Sequence, residues 1–236
     1  MKKSLVVLTV LVVFLLILIP TGFFGNLSEK ITGKATYDLM GLVAHYDFEG
    51  NVNDSVGRNP GKNHWVEFVE GKFGQAGKFE WGQYVEIPNS KDFDKWKGFT
   101  YSAWVNPESY ERDYQIIMGH DNPYFGIRDT GRIFAFTTGA GSIYGESVLE
   151  KNQWHHILVT WTKEDYLKVY LNGELEGVGF EPGDSVRDTN PKFYIGKKKR
   201  VEAYPFSGLI DEVKIWNKGL NESEVKEEYE SYLLVA

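Results

Sequence analysis

The stretch FSGLIDEVKIWNKGL, residues 206–220, decides the fold, because it reads as a long strand followed by a turn. From Leu209 to Trp216 its side chains alternate as in a strand with one buried face. Strict alternation places Asp211 in one row with Val213 and Ile215. A carboxylate in an apolar row must accept hydrogen bonds, pair with a cation or bind a metal, because an unpaired buried charge is costly.

Short strands separated by turns fill the rest of the chain from residue 41 onwards. Asn172-Gly173 is typical of a type I′ hairpin turn, and Asp129-Thr130-Gly131 predicts a second tight turn. Many short strands with regular turns favour an all-β sandwich or barrel. The predicted strands are GLVAHYDFE, KFGQAGKFE, QYVEIP, FTYSAWVNP, QIIMGH, YFGIRD, RIFAFTT, WHHILVTWT, LKVYLNGE, KFYIGK and LIDEVKIW.

The C-terminus of this region is the part with a helical pattern, in LNESEVKEEYESYLL. Asn221 is a suitable N-cap, and Glu224 three residues later completes a capping box. The pattern predicts a short helix. Its buried side is predicted to consist of Leu220, Val225, Tyr229 and Leu233.

The composition excludes several classes of protein. The 236 residues carry a net charge of −7, which argues against a nucleic-acid partner, and there is no cysteine for disulfides or thiolate chemistry. The one basic run, Lys197-Lys198-Lys199-Arg200, is interpreted first as a solvated hairpin loop. The alternative interpretation is a contact with an anionic glycan or surface.

The N-terminus, MKKSLVVLTVLVVFLLILIP, predicts a hydrophobic helix that enters a membrane. Residues 1–25 are predicted to be a signal peptide or a transmembrane anchor, with the anchor favoured, and residues 26–40 a linker. Lys2 and Lys3 are expected to keep the N-terminal end of this helix on the cytoplasmic side of the membrane. The domain at 41–236 is therefore expected outside the cytoplasm, on the cell surface or secreted.

Seven stretches in order resemble the laminin-G-like domains of the concanavalin A-like lectin/glucanase superfamily, in the form found on exported microbial proteins. The resemblance implies a two-sheet antiparallel jelly-roll sandwich in which the first and last strands are neighbours. The matching stretches are LVAHYDFEGNVNDSVGRNPG, GKFGQAGKFEWGQYVEIPNS, FTYSAWVNP, NQWHHILVTW, LKVYLNGELEG, KFYIGK and FSGLIDEVKIWNKGLNESEV.

The resemblance also implies a structural calcium ion (Ca2+) on the rim of the sandwich, with Glu49 and Asp211 in the positions that supply ligands. Calcium suits such hard oxygen donors. Two alternatives stay open for Asp211: it caps backbone amides of a neighbouring loop, or it pairs with a lysine or arginine.

Catalysis is the minority interpretation. Glycoside hydrolysis requires two carboxylates, and the Glu-x-Asp-x-x-Glu motif of the glucanases that share this fold is absent from the sequence. His155 and His156 are consecutive in a predicted strand, so they point to opposite faces and do not share a ligand. A non-catalytic protein is predicted, with a glycosidase of unrecognised site as the remaining enzyme hypothesis.

Recognition is the function that these observations favour. The candidate ligand-binding residues are five aromatic residues near predicted turns: Trp65, Trp81, Tyr110, Tyr124 and Tyr144. Their rings are expected either to stack on sugars or to cover the hydrophobic edges of the sandwich. We expect a surface-displayed binding module for a carbohydrate or cell-surface polymer. The alternative is a protein-interaction, adhesion or envelope structural module with a protein partner.

Overall fold

Alternating strands stack as two antiparallel sheets, as the sequence predicts. The computed structural model describes residues 41–88, 93, 98–137, 141–179, 192–198 and 204–233. All of these belong to one compact unit that starts at Gly41. The predicted anchor and linker, residues 1–40, lie outside the described residues. No helical segment within the described ranges has both the length and the apolar character that crossing a bilayer requires.

Fifteen strands and one helix occur in the described part of the chain. The strands are β1 (Leu42–Tyr46), β2 (Lys62–His64), β3 (Glu67–Glu70), β4 (Gln75–Phe79), β5 (Tyr84–Ile87), β6 (Gly98–Pro107), β7 (Tyr114–Gly119), β8 (Tyr124–Arg128), β9 (Arg132–Thr137), β10 (Gly141–Val148), β11 (His155–Thr162), β12 (Asp165–Leu171), β13 (Glu174–Val178), β14 (Phe193–Ile195) and β15 (Gly208–Trp216). The helix α1 spans Glu222–Leu233.

The first sheet runs in the order β13-β12-β11-β6-β15-β4-β3, and β1 also pairs with β15. The second sheet runs in the order β10-β9-β8-β7-β14-β5-β2. The first and last strands are therefore neighbours, as the family resemblance implies. The predicted turns are also confirmed: Asn172 and Gly173 both have positive φ between β12 and β13, and the Gly131 amide closes the β8–β9 turn on the Arg128 carbonyl.

The core lies between the two sheets and takes every second residue from most strands. Phe79 and Tyr101 come from the first sheet, and Phe125 and Phe193 come from the second. All four side chains are fully buried. A second apolar cluster lies on the other face of the first sheet, under helix α1, and includes Trp216 and Val225.

A β-bulge in β15 breaks the predicted alternation. Asp211 pairs with Trp104 but Lys214 pairs with Ser102, so β15 holds one extra residue, and Glu212 has a φ of 49°. The bulge turns Val213 into the core, whereas Asp211 lies on the face that carries α1. The prediction that Asp211 shares a row with Val213 was therefore wrong.

Helix α1 begins with the predicted capping box. The Glu224 amide donates to Asn221 Oδ1 at 3.0 Å, and the Asn221 amide donates to Glu224 Oε2 at 2.9 Å. Its buried residues are Val225 and Tyr232, seven apart, whereas Leu233 is 55% exposed. Leu233 was wrongly predicted as buried, because the apolar stripe follows the i, i+7 spacing of the helix.

Candidate functional site

The outer face of the second sheet carries a continuous set of aromatic side chains. We call it the aromatic face and define it by Tyr84, Tyr114, Tyr124, Phe134, Phe136, Tyr144, Tyr194 and Tyr204. The strand residues among them alternate with the aliphatic residues that fill the core, as in Ile133–Phe134–Ala135–Phe136 of β9. The same alternation that builds the core therefore places these rings on the opposite side.

Strand register aligns part of the aromatic face in one row. Phe136 pairs with Tyr124, Tyr124 with Gly119, and Gly119 with Tyr194. The row continues from Tyr194 to Glu86 of β5. Partners across antiparallel strands point to the same face, and strands lie about 4.8 Å apart, so these five strands span about 19 Å.

Gly119 is buried and lies in this row between Tyr124 and Tyr194. Its φ is +147°, and a Cβ there would lie 2.5 Å from Tyr124 Cα. A larger residue is excluded by this contact and by the backbone conformation. Pro123 and Tyr124 therefore pack directly against the buried Gly119 backbone, and this close packing fixes the position of Tyr124 in the row.

Arg128 organises one end of the aromatic face. Its Nη1 donates to Tyr114 Oη at 2.9 Å, and its Cζ lies 4.2 Å from the Tyr114 ring centroid and 5.9 Å from that of Tyr144. The Tyr114 ring packs edge-on against Phe134 and Tyr204, at centroid distances of 5.0 and 5.5 Å. Phenol hydroxyls and a guanidinium therefore surround an apolar floor.

Tyr124 occupies the middle of the aromatic face and is half-buried. Its ring centroid lies 5.2 Å from Phe136 and 6.2 Å from Phe134, and Lys198 Nζ lies 3.8 Å from it. Burial, with nearby tyrosine hydroxyls contributing, raises the pKa of Tyr124 to about 12. The hydroxyl therefore stays protonated and available as a hydrogen-bond donor at neutral pH.

Lys197 occupies the other end of the aromatic face and is only 4% exposed. Its Nζ lies 3.2 Å from the Tyr84 ring centroid and 4.9 Å from that of Tyr194. Burial lowers the pKa of Lys197 to about 8, with the nearby charge of Lys192 adding to the effect and Glu86 opposing it. The expectation of a solvated loop was therefore wrong for this lysine; Lys199 and Arg200 lie outside the described residues.

Three of the predicted ligand-binding residues lie on or beside the aromatic face. Tyr124 and Tyr144 belong to it. Trp65, which is 76% exposed, packs edge-on against His64 at 6.0 Å, and His64 stacks on Tyr84 at 4.1 Å. The structure therefore brings these three residues to a single surface.

The other two predicted residues lie elsewhere. Trp81 is 63% exposed on the β4–β5 turn, and its ring lies 4.5 Å from Arg112 Cζ. Tyr110 packs against the core and donates through Oη to the Leu149 carbonyl at 2.9 Å, and burial raises its pKa to about 12. We therefore assign Tyr110 to the support of a loop and leave Trp81 apart from the aromatic face.

Sequence reasoning missed most of the residues that build the aromatic face. The sequence does carry a signal: aromatic residues at period two on the side opposite the aliphatic residues. RIFAFTT shows it, with Phe134 and Phe136 opposite Ile133 and Ala135. The residues of the face that were not among the predicted site residues are Tyr84, Tyr114, Phe134, Phe136, Tyr194, Tyr204 and Arg128, whereas Lys197 belongs to the basic run for which contact with an anionic glycan was the alternative interpretation.

Asp211 holds the β3–β4 loop. Its Oδ2 accepts the Lys72 and Phe73 amides, both at 3.0 Å, and its Oδ1 accepts the Glu212 amide at 2.8 Å. The side chain is fully buried, and burial raises the pKa of Asp211 to about 7 despite these hydrogen bonds. Of the explanations left open by the sequence, amide capping is the one that these contacts match.

Glu49 reaches the same loop, where its Oε1 accepts the Gln75 amide at 2.9 Å. Calcium takes six to eight oxygen ligands, and both Glu49 and Asp211 are already engaged with amide donors. Within the described residues no group of three or more histidine or acidic side chains is arranged to hold a metal. This donor set alone does not fit calcium, and calcium binding at these residues stays a prediction.

A cavity of about 400 Å³ lies away from the aromatic face. It is lined by Gly98, Thr162, Lys163, Glu164, Asn217, Lys218 and Gly219. Its walls are formed by turn backbone and charged side chains and carry no aromatic ring. We therefore place the candidate site on the aromatic face.

Solved structures of similar shape are carbohydrate-related or receptor-related proteins. Domain 4 of AbnA, a GH43 extracellular arabinanase from Geobacillus stearothermophilus, solved in complex with arabinotriose, is 23% identical with a TM-score of 0.62; the match covers 79% of this chain and 97% of that one. The receptor-binding domain of botulinum neurotoxin C/D mosaic serotype is 16% identical with a TM-score of 0.67, covering 83% of this chain and 52% of that one.

Trypanosoma rangeli sialidase is 17% identical with a TM-score of 0.62, and the match covers 80% of this chain but 33% of the sialidase. At these identities the likenesses show the fold. No curated protein sequence matches the chain. A family model described as the concanavalin A-like lectin/glucanases superfamily, in its laminin-G form, matches residues 79–226. The chain therefore belongs to the laminin-G-like family of the concanavalin A-like lectin/glucanase superfamily.

Proposed function

We propose that this protein is a non-catalytic glycan-binding module that takes its ligand on the aromatic face. The observation that carries the proposal is the group of partly exposed rings on this face: Phe136 and Tyr124 are partners across β9 and β8, and Tyr114 and Tyr144 lie beside them around Arg128. Aromatic rings offer a flat apolar surface to the C–H face of a sugar, and hydroxyl and cationic groups at their edges fix its orientation.

The polar groups of the aromatic face suit a sugar. Tyr114 and Tyr124 bring phenol hydroxyls, which both donate and accept hydrogen bonds, and Arg128 brings guanidinium donors. Sugar hydroxyls are donors and acceptors too, so they pair with both kinds of group.

A binding function fits the chemistry of the face better than catalysis does. Glycoside hydrolysis normally needs two carboxylates at a fixed separation. Glu86 and Asp129, two carboxylates beside these tyrosines, are each engaged with a cation: Glu86 with Lys192 at 3.0 Å and Asp129 with Arg128 at 3.4 Å.

The similar structures add support. The arabinanase domain was solved with arabinotriose, and cell entry of botulinum neurotoxin type C depends upon interaction with two ganglioside molecules. The binding domain of botulinum neurotoxin DC, of which the match covers 52%, was solved in complex with rat synaptotagmin II. A protein or adhesion partner is the alternative that the experiment below must separate.

We further propose that residues 1–25 anchor or export the domain, so that the aromatic face is displayed outside the cytoplasm. The support is the apolar N-terminal sequence with Lys2 and Lys3 before it. Protease treatment of intact cells that express the full-length chain tests this: the domain should be cleaved from outside.

The test of the proposed function is a glycan array probed with the purified full-length chain, in a detergent without a sugar headgroup. Tyr124→Ala should weaken binding to the best glycan by about tenfold or more, since it removes the central stacking ring. Tyr166→Ala is the matched control, because Tyr166 is an exposed tyrosine of β12 in the other sheet.

Equal losses in the two variants would contradict the proposed site. No binding to any glycan by a folded wild-type protein would contradict the proposed function and favour the protein-interaction alternative.

A further inference from the structure

Lys197 is a buried lysine that forms no ion pair with an acidic side chain among the described residues. In the described part of the chain, its contacts are the faces of Tyr84 and Tyr194. Both rings belong to the aromatic face, so the ammonium lies among its side chains. A buried cation without a paired anion is costly, and proteins seldom keep one without a use.

Other cations surround this end of the face. Lys198 lies over Tyr124, and Lys192 lies at the edge of β14. Among the described residues two acidic side chains lie near these three lysines: Glu86, which pairs with Lys192 at 3.0 Å, and Asp121, which acts on Tyr124. The described charges at this end therefore sum to a small positive value, although the whole chain carries a net charge of −7.

A local positive surface on an acidic protein has a specific consequence. The overall charge repels anionic polymers, so an anion binds only where cations are concentrated and partly shielded from water. Ion pairing is stronger where the ammonium is desolvated, as it is for Lys197.

We propose that the end of the aromatic face formed by Tyr84, Tyr194 and Lys197 binds an acidic sugar, whose oxyanion pairs with the Lys197 ammonium. The oxyanion is the carboxylate of a uronic acid or a sulfate ester on the sugar. This inference rests on the proposed glycan-binding function and names the substrate class of the same site. The partly exposed Tyr84 would contact the sugar, the buried Tyr194 would support the ammonium, and the lysine would select for the sugar's charge.

Titration of Lys197 gives the proposal an independent readout. Burial lowers its pKa to about 8, so its charge is lost as the pH rises through that value. The other titratable groups that face it are Glu86, Lys192, His64 and the two tyrosines, and Glu86 pairs with Lys192 at 3.0 Å. Burial raises the pKa of Tyr84 and lowers that of His64, so both of these groups are neutral near pH 8. Preference for the acidic sugar should therefore fade above about pH 8, and Lys197→Arg should extend it to higher pH.

The experiment compares probes that differ in charge alone, with the full-length chain. One pair is oligogalacturonides with free carboxylates and the same oligomers as methyl esters; the other is sulfated and unsulfated dextran oligosaccharides. We expect at least one acidic probe to bind about tenfold or more tighter than its neutral partner, and less so at high salt. The pair that shows the preference identifies the oxyanion as carboxylate or sulfate.

Lys197→Met should abolish this preference while the protein stays folded, because methionine keeps the apolar stem. Lys151→Met is the matched control: Lys151 lies 5.2 Å from the Tyr110 ring, a similar lysine–tyrosine contact away from the aromatic face. Equal binding of charged and neutral partners, or an unchanged preference in Lys197→Met, would overturn the inference. Neutral sugars that still bind in a Tyr124-dependent way would leave the proposed function standing.

Discussion

His156 should make the domain sensitive to acid, and His156→Phe should remove that sensitivity. The imidazole is fully buried among Trp104, Tyr229 and Tyr232, whose ring centroids lie 5.4 to 5.7 Å away. Neither ring nitrogen has a hydrogen-bond partner in the structure as described. Burial, with Lys214 adding repulsion, lowers the pKa of His156 to about 3.

The sign and size of the effect follow from proton linkage. Because the pKa is lower in the folded state than the unfolded value of 6.5, the unfolded state binds more protons below pH 6.5 and stability falls as the pH falls. Each pH unit below 6.5 lowers the free energy of unfolding by about 1.4 kcal/mol. At pH 4.5, two units below that value, His156 therefore lowers it by about 2.7 kcal/mol. Phenylalanine has a similar shape, has no proton to gain and loses no hydrogen bond.

Urea unfolding followed by tryptophan fluorescence measures this at pH 7.5, 5.5 and 4.5. Asp211 has the opposite linkage, since its raised pKa of about 7 stabilises the folded state as the pH falls, so the two proteins must be compared at each pH. The free energy of unfolding of His156→Phe should lie within about 1 kcal/mol of the wild-type value at pH 7.5. At pH 4.5 it should exceed the wild-type value by about 2.7 kcal/mol. A difference that does not change with pH would refute the reasoning.

Three further predictions concern the scaffold. Asp211→Ala should lower the free energy of unfolding by about 3 kcal/mol, because three backbone amides lose their acceptor; a loss below about 1 kcal/mol in urea unfolding would contradict this. If calcium binds at Glu49 and Asp211, a chelator should lower the melting temperature, and an unchanged melt would remove that prediction. Gly119→Ala should destabilise the domain by about 2 kcal/mol or more, since its φ is +147° and the new Cβ meets the Tyr124 backbone; a melting temperature equal to wild type would contradict this.

Local chemistry explains what the sequence predicted correctly. The capping box of Asn221 and Glu224 and the turn at Asn172-Gly173 depend on residues a few positions apart, so they are readable from the chain alone. Period-two alternation likewise identified the major strands and the sandwich. Short edge strands such as Lys62–His64 and Glu67–Glu70 carry no such pattern and were not predicted.

The candidate site could be predicted only in part, because it is formed by contacts between residues that are far apart in the sequence. The bulge at Glu212 has no signature in the sequence, yet it decides which face Asp211 occupies. Lys197 lies in a basic run that resembles a solvated loop, but Tyr84 and Tyr194 enclose it after folding. Aromatic residues near turns were a partial guide, because Tyr124 and Tyr144 lie on the aromatic face while Tyr110 supports a loop.

The most direct test of the central claim is a crystal structure of the protein with the glycan that binds most tightly on the array. The account predicts a sugar ring stacked on Tyr124 or Tyr114 of the aromatic face, with Arg128 or Lys197 in contact with its polar groups. A sugar bound instead at the rim beside Glu49 and Asp211, with the aromatic face free, would contradict the account.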